Sequence, residues 1–345
     1  MPLYRRLLLV ALALTAVVVV FGAYVRLSDA GLGCPDWPGC YGQISPHHAA
    51  EDISATHAAN PQGPVSAPKA WKEMIHRYLA GTLGLLILAI AAQAWRCRSH
   101  PAVAWRIASA LIAVVVVQGL LGKWTVTLLL KPAIVTAHLI GGLTTLGLLA
   151  WLALRAHGVA RLELPRGAVA LARVAFVLLA GQIVLGGWTS TNYAALACAD
   201  FPTCQGSLWP AADYLNAFHV VRELGMTADG QSLSLAALTA IHWAHRLGAL
   251  LAGTVLLALV WVLSRRQGTQ AAGFVLLGAL SLQIGLGIAN VAIGLPLALA
   301  VAHNAGAVVL LLVLVWINYR LRAMQAPAGA GRRRDDYARR ENAFA

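Results

Sequence analysis

Apolar positions fall into eight long runs, near residues 7–26, 73–95, 104–123, 132–154, 168–189, 236–262, 271–292 and 296–318, and the polar positions gather between them. A bilayer's hydrocarbon core is crossed by roughly 20 apolar residues in helical form, so each run predicts one transmembrane helix. The expected fold is an all-α integral membrane protein with eight spans. The first run follows Arg5 and Arg6 and has the flanks of a signal peptide. The run at 168–189 holds the corresponding place ahead of a second copy of the next motif, which makes the first run a retained structural helix.

That motif lies in the two long polar segments, about 27–71 and 190–234. Cys34-Pro35-Asp36-Trp37-Pro38-Gly39-Cys40 and Cys198-Ala199-Asp200-Phe201-Pro202-Thr203-Cys204 share the pattern Cys-x-Asp-aromatic-Pro-x-Cys, 164 positions apart. The chain therefore reads as a fused duplication, with one unit over 1–160, a second over 161–322, and a flexible basic cytoplasmic tail over 323–345. Four spans per unit return the chain to its starting side, so the copies share one orientation. They predict two tandem four-helix bundles about a pseudo-two-fold axis along the membrane normal. The odd-numbered spans echo one another as well: Gln118-Gly119-Leu120-Leu121-Gly122, Gln182-Ile183-Val184-Leu185-Gly186 and Gln283-Ile284-Gly285-Leu286-Gly287, with Phe21-Gly22 in the first. Small residues there let helices approach closely, while an amide inside a span asks for a polar partner.

Composition agrees and charge supplies direction. Hydrophobic residues make up 59% and charged residues 11%, with mean hydropathy +0.70, against about 25% charged in a soluble domain. Arg5, Arg6, Arg96, Arg98, Arg106, Arg155, Arg161, Arg166, Arg173, Arg265, Arg266 and the arginine-rich tail all fall on one side. Positive residues stay inside, so both termini are expected in the cytoplasm and both Cys loops on the outer side of a bacterial inner membrane. An oxidising exterior lets Cys34 pair with Cys40 and Cys198 with Cys204. Cys97 sits in a cytoplasmic turn as a bystander, and His47, His48 and His57 in the first outer loop carry no assigned chemistry. Because the basic residues line the inner surface, the net charge of +13 reads as topology and affinity for the anionic lipid bilayer, and nucleic acid is not an expected partner.

Four histidines stand inside spans. His76 and His245 are 169 positions apart, and His138 and His303 are 165 apart. All lie on even-numbered spans, a few turns from the outer end; His138 comes seven residues after Lys131 and His303 nine after Gly294, about 10 to 14 Å at the helical rise of 1.5 Å per residue. Imidazole is the common axial ligand of haem iron, and bundle cores hold such cofactors. A single intramembrane His is ordinarily a hydrogen-bonded packing residue or part of a proton relay. Packing has no reason to reproduce two positions in both halves, so the doubling predicts two haem pockets. His242 competes with His245, but His245-Arg246 repeats His76-Arg77, which selects His245. Arg77 and Arg246 suit haem propionates or snorkelling to the interface. Glu73 precedes His76 by one turn on the same face; it either faces the pocket or pairs with Arg77. Its second-half counterpart is His242. This asymmetry puts the chemistry in the first half and an electron-transfer or structural haem in the second.

To about residue 320 the chain resembles the haem A synthase family. The likeness rests on Gly31-Leu32-Gly33-Cys34-Pro35-Asp36-Trp37-Pro38, on Glu73-Met74-Ile75-His76-Arg77, on the His138 helix, on the second Cys motif, and on His245-Arg246 and His303. The resemblance implies an oxidoreductase acting on a CH group, turning one ring methyl of haem O into a formyl group, through an alcohol and a hydrated aldehyde, to give haem A for cytochrome oxidase. It implies that His76 and His138 flank the substrate haem O and that His245 and His303 ligate a resident haem b. It further implies that Glu73 is catalytic with His76 and His138, and that Cys34 and Cys40 form the functional pair. Implied partners are a haem O synthase, an unidentified electron donor and the cytochrome oxidase assembly machinery, and a homo-oligomer is compatible with this reading. His242 beside the expected ligand is the departure from the pattern. A two-haem, bis-histidine cytochrome b passing electrons between quinol and a partner would carry the same four histidines without needing Glu73. A transporter of parallel repeats would need paired Gly/Pro breaks at the midplane, which the spans lack.

Overall fold

The structure is a computed structural model and describes residues 1–324. Among these residues eight helices are long and apolar enough to cross a membrane. They are α1 (Pro2–Leu27), α3 (Ala67–Arg96), α4 (Trp105–Thr127), α5 (Pro132–Ala156), α6 (Arg166–Thr191), α8 (Leu235–Ser264), α9 (Gln270–Ala292) and α10 (Leu297–Arg320). The chain is an all-α integral membrane protein. Backbone in hydrocarbon has to satisfy its own hydrogen bonds, so even the β-branched run Val17 to Val20 is helical. Several helices outrun their apolar stretch. α3 begins with Pro68 in its first turn, where a missing N–H costs nothing, and so carries the segment before Glu73 into the helix.

The two long polar segments hold elements that their composition hid, α2 (Ala50–Ala59) in the first and the single turn α7 (Tyr214–Ala217) in the second. Strands β1 (Leu162–Leu164) and β2 (Leu321–Ala323) pair in parallel, with Leu162 beside Leu321. The residues leading into and out of the second set of four spans therefore meet. Ala323, the first residue assigned to the tail, lies in β2, and residues 325–345 lie outside the described residues.

The spans pack as two rings. In the first, α1 contacts α3 and α5, and α4 contacts α3 and α5; in the second, α6 contacts α8 and α10, and α9 contacts α8 and α10. Contacts between the rings run α1 to α10, α5 to α6 and α5 to α10, and exchanging the halves maps this set onto itself. α3 and α5 stand at opposite corners of one ring, α8 and α10 at opposite corners of the other. Two buried clusters result, one joining Tyr4, Leu8, Ile90, Leu111 and Leu152, the other Leu146, Ala172, Leu259, Leu276 and Leu314. α5 contributes to both. Lipid is as apolar as leucine, so van der Waals fit and small residues hold these helices together. At the end of the bundle that carries the Cys loops, Arg26 of α1 donates to the Ser190 carbonyl of α6 at 2.9 Å, and Tyr193 donates to Asp29 at 3.0 Å.

Candidate functional site

Each of the four histidines rests on a glycine of the neighbouring helix. A Cβ at Gly22 would come within 2.8 Å of His76 Cε1, at Gly122 within 3.4 Å of His138, at Gly186 within 3.2 Å of His245 and at Gly287 within 3.1 Å of His303. The glycines that read as general packing residues in the sequence are the seats of the imidazoles. Around three of them a second fit interlocks. Four residues before the seat stands a glutamine, and three residues after the histidine stands another glycine that the glutamine side chain covers: Gln118 over Gly141, Gln182 over Gly248 and Gln283 over Gly306. Gln182 Nε2 lies 3.0 Å from His245 Nδ1, and Gln283 Nε2 lies 3.3 Å from His303 Nε2. At the fourth site the corresponding residues are Val18 and Leu79, and His76 has Phe21 beside it, ring centroids 6.5 Å apart.

The geometry suits a porphyrin held from both sides. His76 and His138 sit on opposite corners of one ring, His245 and His303 on opposite corners of the other. Nδ1 of His76, His138 and His303 and Oε1 of Gln182 and Gln283 are buried without a hydrogen-bond partner, and buried polar groups of that kind ask for a ligand or an ion. An iron-bound imidazole needs an acceptor for its other N–H. A half-turn of the Gln182 amide would bring its free oxygen to that place beside His245. A bare ion fits less well, since no cluster of three or more metal-ligating side chains occurs among the described residues.

Above the first pair sits the Cys34–Cys40 disulfide loop, and above the second the Cys198–Cys204 loop. The conserved look of the two motifs within this chain has a physical basis. Asp36 accepts from the backbone N–H groups of Tyr41 and Gly42 at 2.7 and 2.6 Å, and Asp200 from those of Gln205 and Gly206 at 2.7 and 2.9 Å. Both turns place two successive residues at positive φ, which is why each ends in glycine.

Glu73 and His242 join these loops to the helices. Buried Glu73 accepts the Cys34 N–H on Oε2 at 2.9 Å and Arg77 Nη2 on Oε1 at 2.5 Å. His242 Nδ1 accepts the Cys198 N–H at 3.2 Å, and Arg246 Nε approaches its Nε2 at 3.3 Å. Both arginines also make hydrogen bonds to the loops. Arg77 Nη1 donates to the carbonyls of Asp36, Pro38 and Gly39, and Arg246 donates to those of Thr203 and Cys198 at 2.8 and 2.9 Å. The Glu73–Arg77 pair is present as a largely buried bridge rather than an exposed one. His242 is thereby separated from His245. It belongs to the loop clamp, while His245 takes the glycine seat. Cys97 is free, and His48 and His57 make only local contacts, with Ser45 and with the Val65 carbonyl.

Eight spans holding two matched pairs of intramembrane imidazoles beneath matched disulfide loops define a polytopic membrane protein of duplicated design. The chain belongs to the COX15-CtaA family of cytochrome oxidase assembly proteins, whose model matches residues 5–315. It is 43% identical over 286 residues to the Heme A synthase of Shewanella oneidensis, covering 82% of this chain and 86% of that protein. It is 30% identical over 321 residues to the Heme A synthase of Novosphingobium aromaticivorans, covering 84% and 86%, and 25% identical over 257 residues to that of Alkalihalophilus pseudofirmus, covering 72% and 73%.

Proposed function

We propose that this chain is a haem A synthase, a membrane oxidoreductase that converts a ring methyl of haem O into a formyl group and so supplies haem A for cytochrome oxidase assembly. The observation that carries the reading is the pair of glycine-seated imidazoles in each half, in a chain whose relatives are named Heme A synthase. In this reading the first half, the unit over 1–160, takes the substrate between His76 and His138. The second half, 161–322, keeps a haem b between His245 and His303, and the two bundles are related by a pseudo-two-fold axis along the membrane normal. Iron porphyrin supplies the oxidative chemistry when bound, and the protein supplies position and electrostatics.

Glu73 is the residue that distinguishes the halves. A carboxylate offers about four acceptor sites, and two of Glu73's are taken by Cys34 and Arg77. It can accept a proton from the reacting methyl, or stabilise positive charge developing there, while remaining tied to the loop. Fixed in a low-dielectric setting, that charge is worth more than in water. The inner surface carries the arginines, so both termini face the cytoplasm of a bacterial inner membrane and the Cys loops face outward. Substrate arrives from a haem O synthase, electrons come from a separate donor, and product passes to the oxidase assembly machinery.

The test is expression beside a haem O synthase in a host lacking haem A, followed by chromatography of extracted haems. Haem A is expected with the intact chain and is absent with Glu73→Gln. Bound haem that stays unconverted under aerobic conditions would favour the electron-passing bis-histidine cytochrome instead.

A further inference from the structure

Three of the four imidazoles are held by the same device and one is not. His138, His245 and His303 each have a glutamine on the neighbouring helix, four residues before the glycine seat, with a second glycine opened beneath its side chain. Two of those rings also have the glutamine amide beside them, Gln182 Nε2 at 3.0 Å from His245 Nδ1 and Gln283 Nε2 at 3.3 Å from His303 Nε2, while at His138 the Gln118 side chain packs over Gly141 one turn along the helix. At His76 the glutamine is Val18 and the small residue is Leu79, both apolar, and neither has a side chain that can hydrogen-bond the ring. Its Nδ1 is buried and unpartnered, as are those of His138 and His303, but its ring touches Gly22 at the tightest of the four seats and has Phe21 as its aromatic neighbour.

Outer-shell partners of a ligating histidine fix its orientation and raise its basicity, and their removal typically costs about 10- to 100-fold in affinity. A centre that only passes electrons keeps both axial ligands, whereas one that acts on a small molecule must open a position. We infer that His76 is the releasable ligand of the first-half site and His138 its anchor, with Val18 and Leu79 the positions that specify this difference, while the amides of Gln182 and Gln283 keep the second-half site closed. This inference rests on the proposed haem occupancy and deepens it. It assigns the open face of the reaction to the α1–α3 side, the side on which Glu73 also stands, one turn from His76.

The experiment uses the full-length holoprotein purified after expression with a haem O synthase. It reads haem content per chain and the reduced spectrum with and without carbon monoxide. The wild type is expected to bind carbon monoxide at one haem of two. His76→Ala should retain the first-half haem and bind carbon monoxide there, whereas His138→Ala should lose that haem. Gln182→Val should make the second haem reactive to carbon monoxide by weakening the hold on His245. Val18→Gln combined with Leu79→Gly should suppress the reaction of the first haem. If that double variant fails to accumulate, the comparison of His76→Ala with His138→Ala still decides. Equal haem loss from those two variants, or carbon monoxide binding confined to the haem ligated by His245, overturns the inference and leaves the haem assignment standing. A wild-type protein free of haem removes both.

Discussion

Glu73 accepts the main-chain N–H of Cys34 at 2.9 Å, so the carboxylate one turn from His76 is also the hook that holds the first disulfide loop. The second half makes the same connection from His242 to the Cys198 N–H at 3.2 Å. A hook therefore does not require a carboxylate.

The two roles can be separated by substitution. Glu73→His gives the first loop the hook that the second already uses, so the loop should stay folded and haem should stay bound while haem A production is lost. Glu73→Gln should behave alike, with Arg77 left short of its counter-charge. Haem analysis and loop protection from protease make the comparison. An undiminished haem A yield from either variant would take Glu73 out of the mechanism.

The arginines predict a loop defect, not a haem defect. Arg77→Ala removes donors to three loop carbonyls and to Glu73, and Arg246→Ala removes donors to two carbonyls in the other loop. Hydrogen bonds from charged groups contribute about 1.5 to 3 kcal/mol each. Both variants should open the affected loop to protease and lower the melting temperature with haem content kept. Loss of haem from a variant whose loop remains protected would return the guanidinium to the propionate role.

Seat substitutions should scale with the space at each glycine. An added methyl meets His76 at 2.8 Å in Gly22→Ala and His303 at 3.1 Å in Gly287→Ala, but His138 only at 3.4 Å in Gly122→Ala. The ring has to yield in the first, since overpacking of this kind costs about 1 to 3 kcal/mol. Haem absorption should shift most in Gly22→Ala, less in Gly287→Ala and least in Gly122→Ala. An order unrelated to these distances would show that the glycines do not seat the ligands.

Cys34→Ser opens a short covalent loop whose closure is worth about 2 kcal/mol by chain entropy. Glu73 and Arg77 hold the same loop by hydrogen bonds, so the protein should still fold with a lower melting temperature. Full activity in the folded variant would exclude an essential electron relay through that cysteine, and complete loss of haem A with haem content retained would support one.

The second loop carries an acid-dependent element. The Thr203 hydroxyl, together with the backbone N–H groups of Gly206 and Gln205, holds the Asp200 carboxyl at about 2, below its ordinary value of 3.8. A group depressed in the folded state stabilises above its unfolded value and loses that contribution as pH falls through its folded one. The turn should therefore be fully formed above 3.8 and loosen toward 2. Cleavage in this loop by an acid-active protease should rise across that interval in the wild type, whereas Asp200→Ala should be cleaved readily at both ends of it.

The spans, the duplication and the four histidines were legible in the sequence because a bilayer demands long apolar runs and because a duplicated chain repeats what matters. His245 was separable from His242 by the dipeptide it shares with His76. The clamp was not legible. Nothing in the one-dimensional pattern says that Glu73 and His242 reach 39 and 44 residues back to a loop N–H, or that Arg77 and Arg246 turn to carbonyls. The helices α2 and α7 were hidden for a related reason, since they lie outside the hydrocarbon where hydropathy carries little information.

By itself, then, the sequence determined how many times the chain crosses the membrane, which residues recur in both halves, and which of them have the chemistry to meet iron. Only the tertiary structure decided that each recurring glycine is an imidazole seat and that the fourth seat lacks its glutamine. Transmembrane helices are specified locally, by the need of each backbone to satisfy itself in lipid. A seat, a clamp or a ligand pair exists only between helices, and it is set by how closely their small residues let them approach.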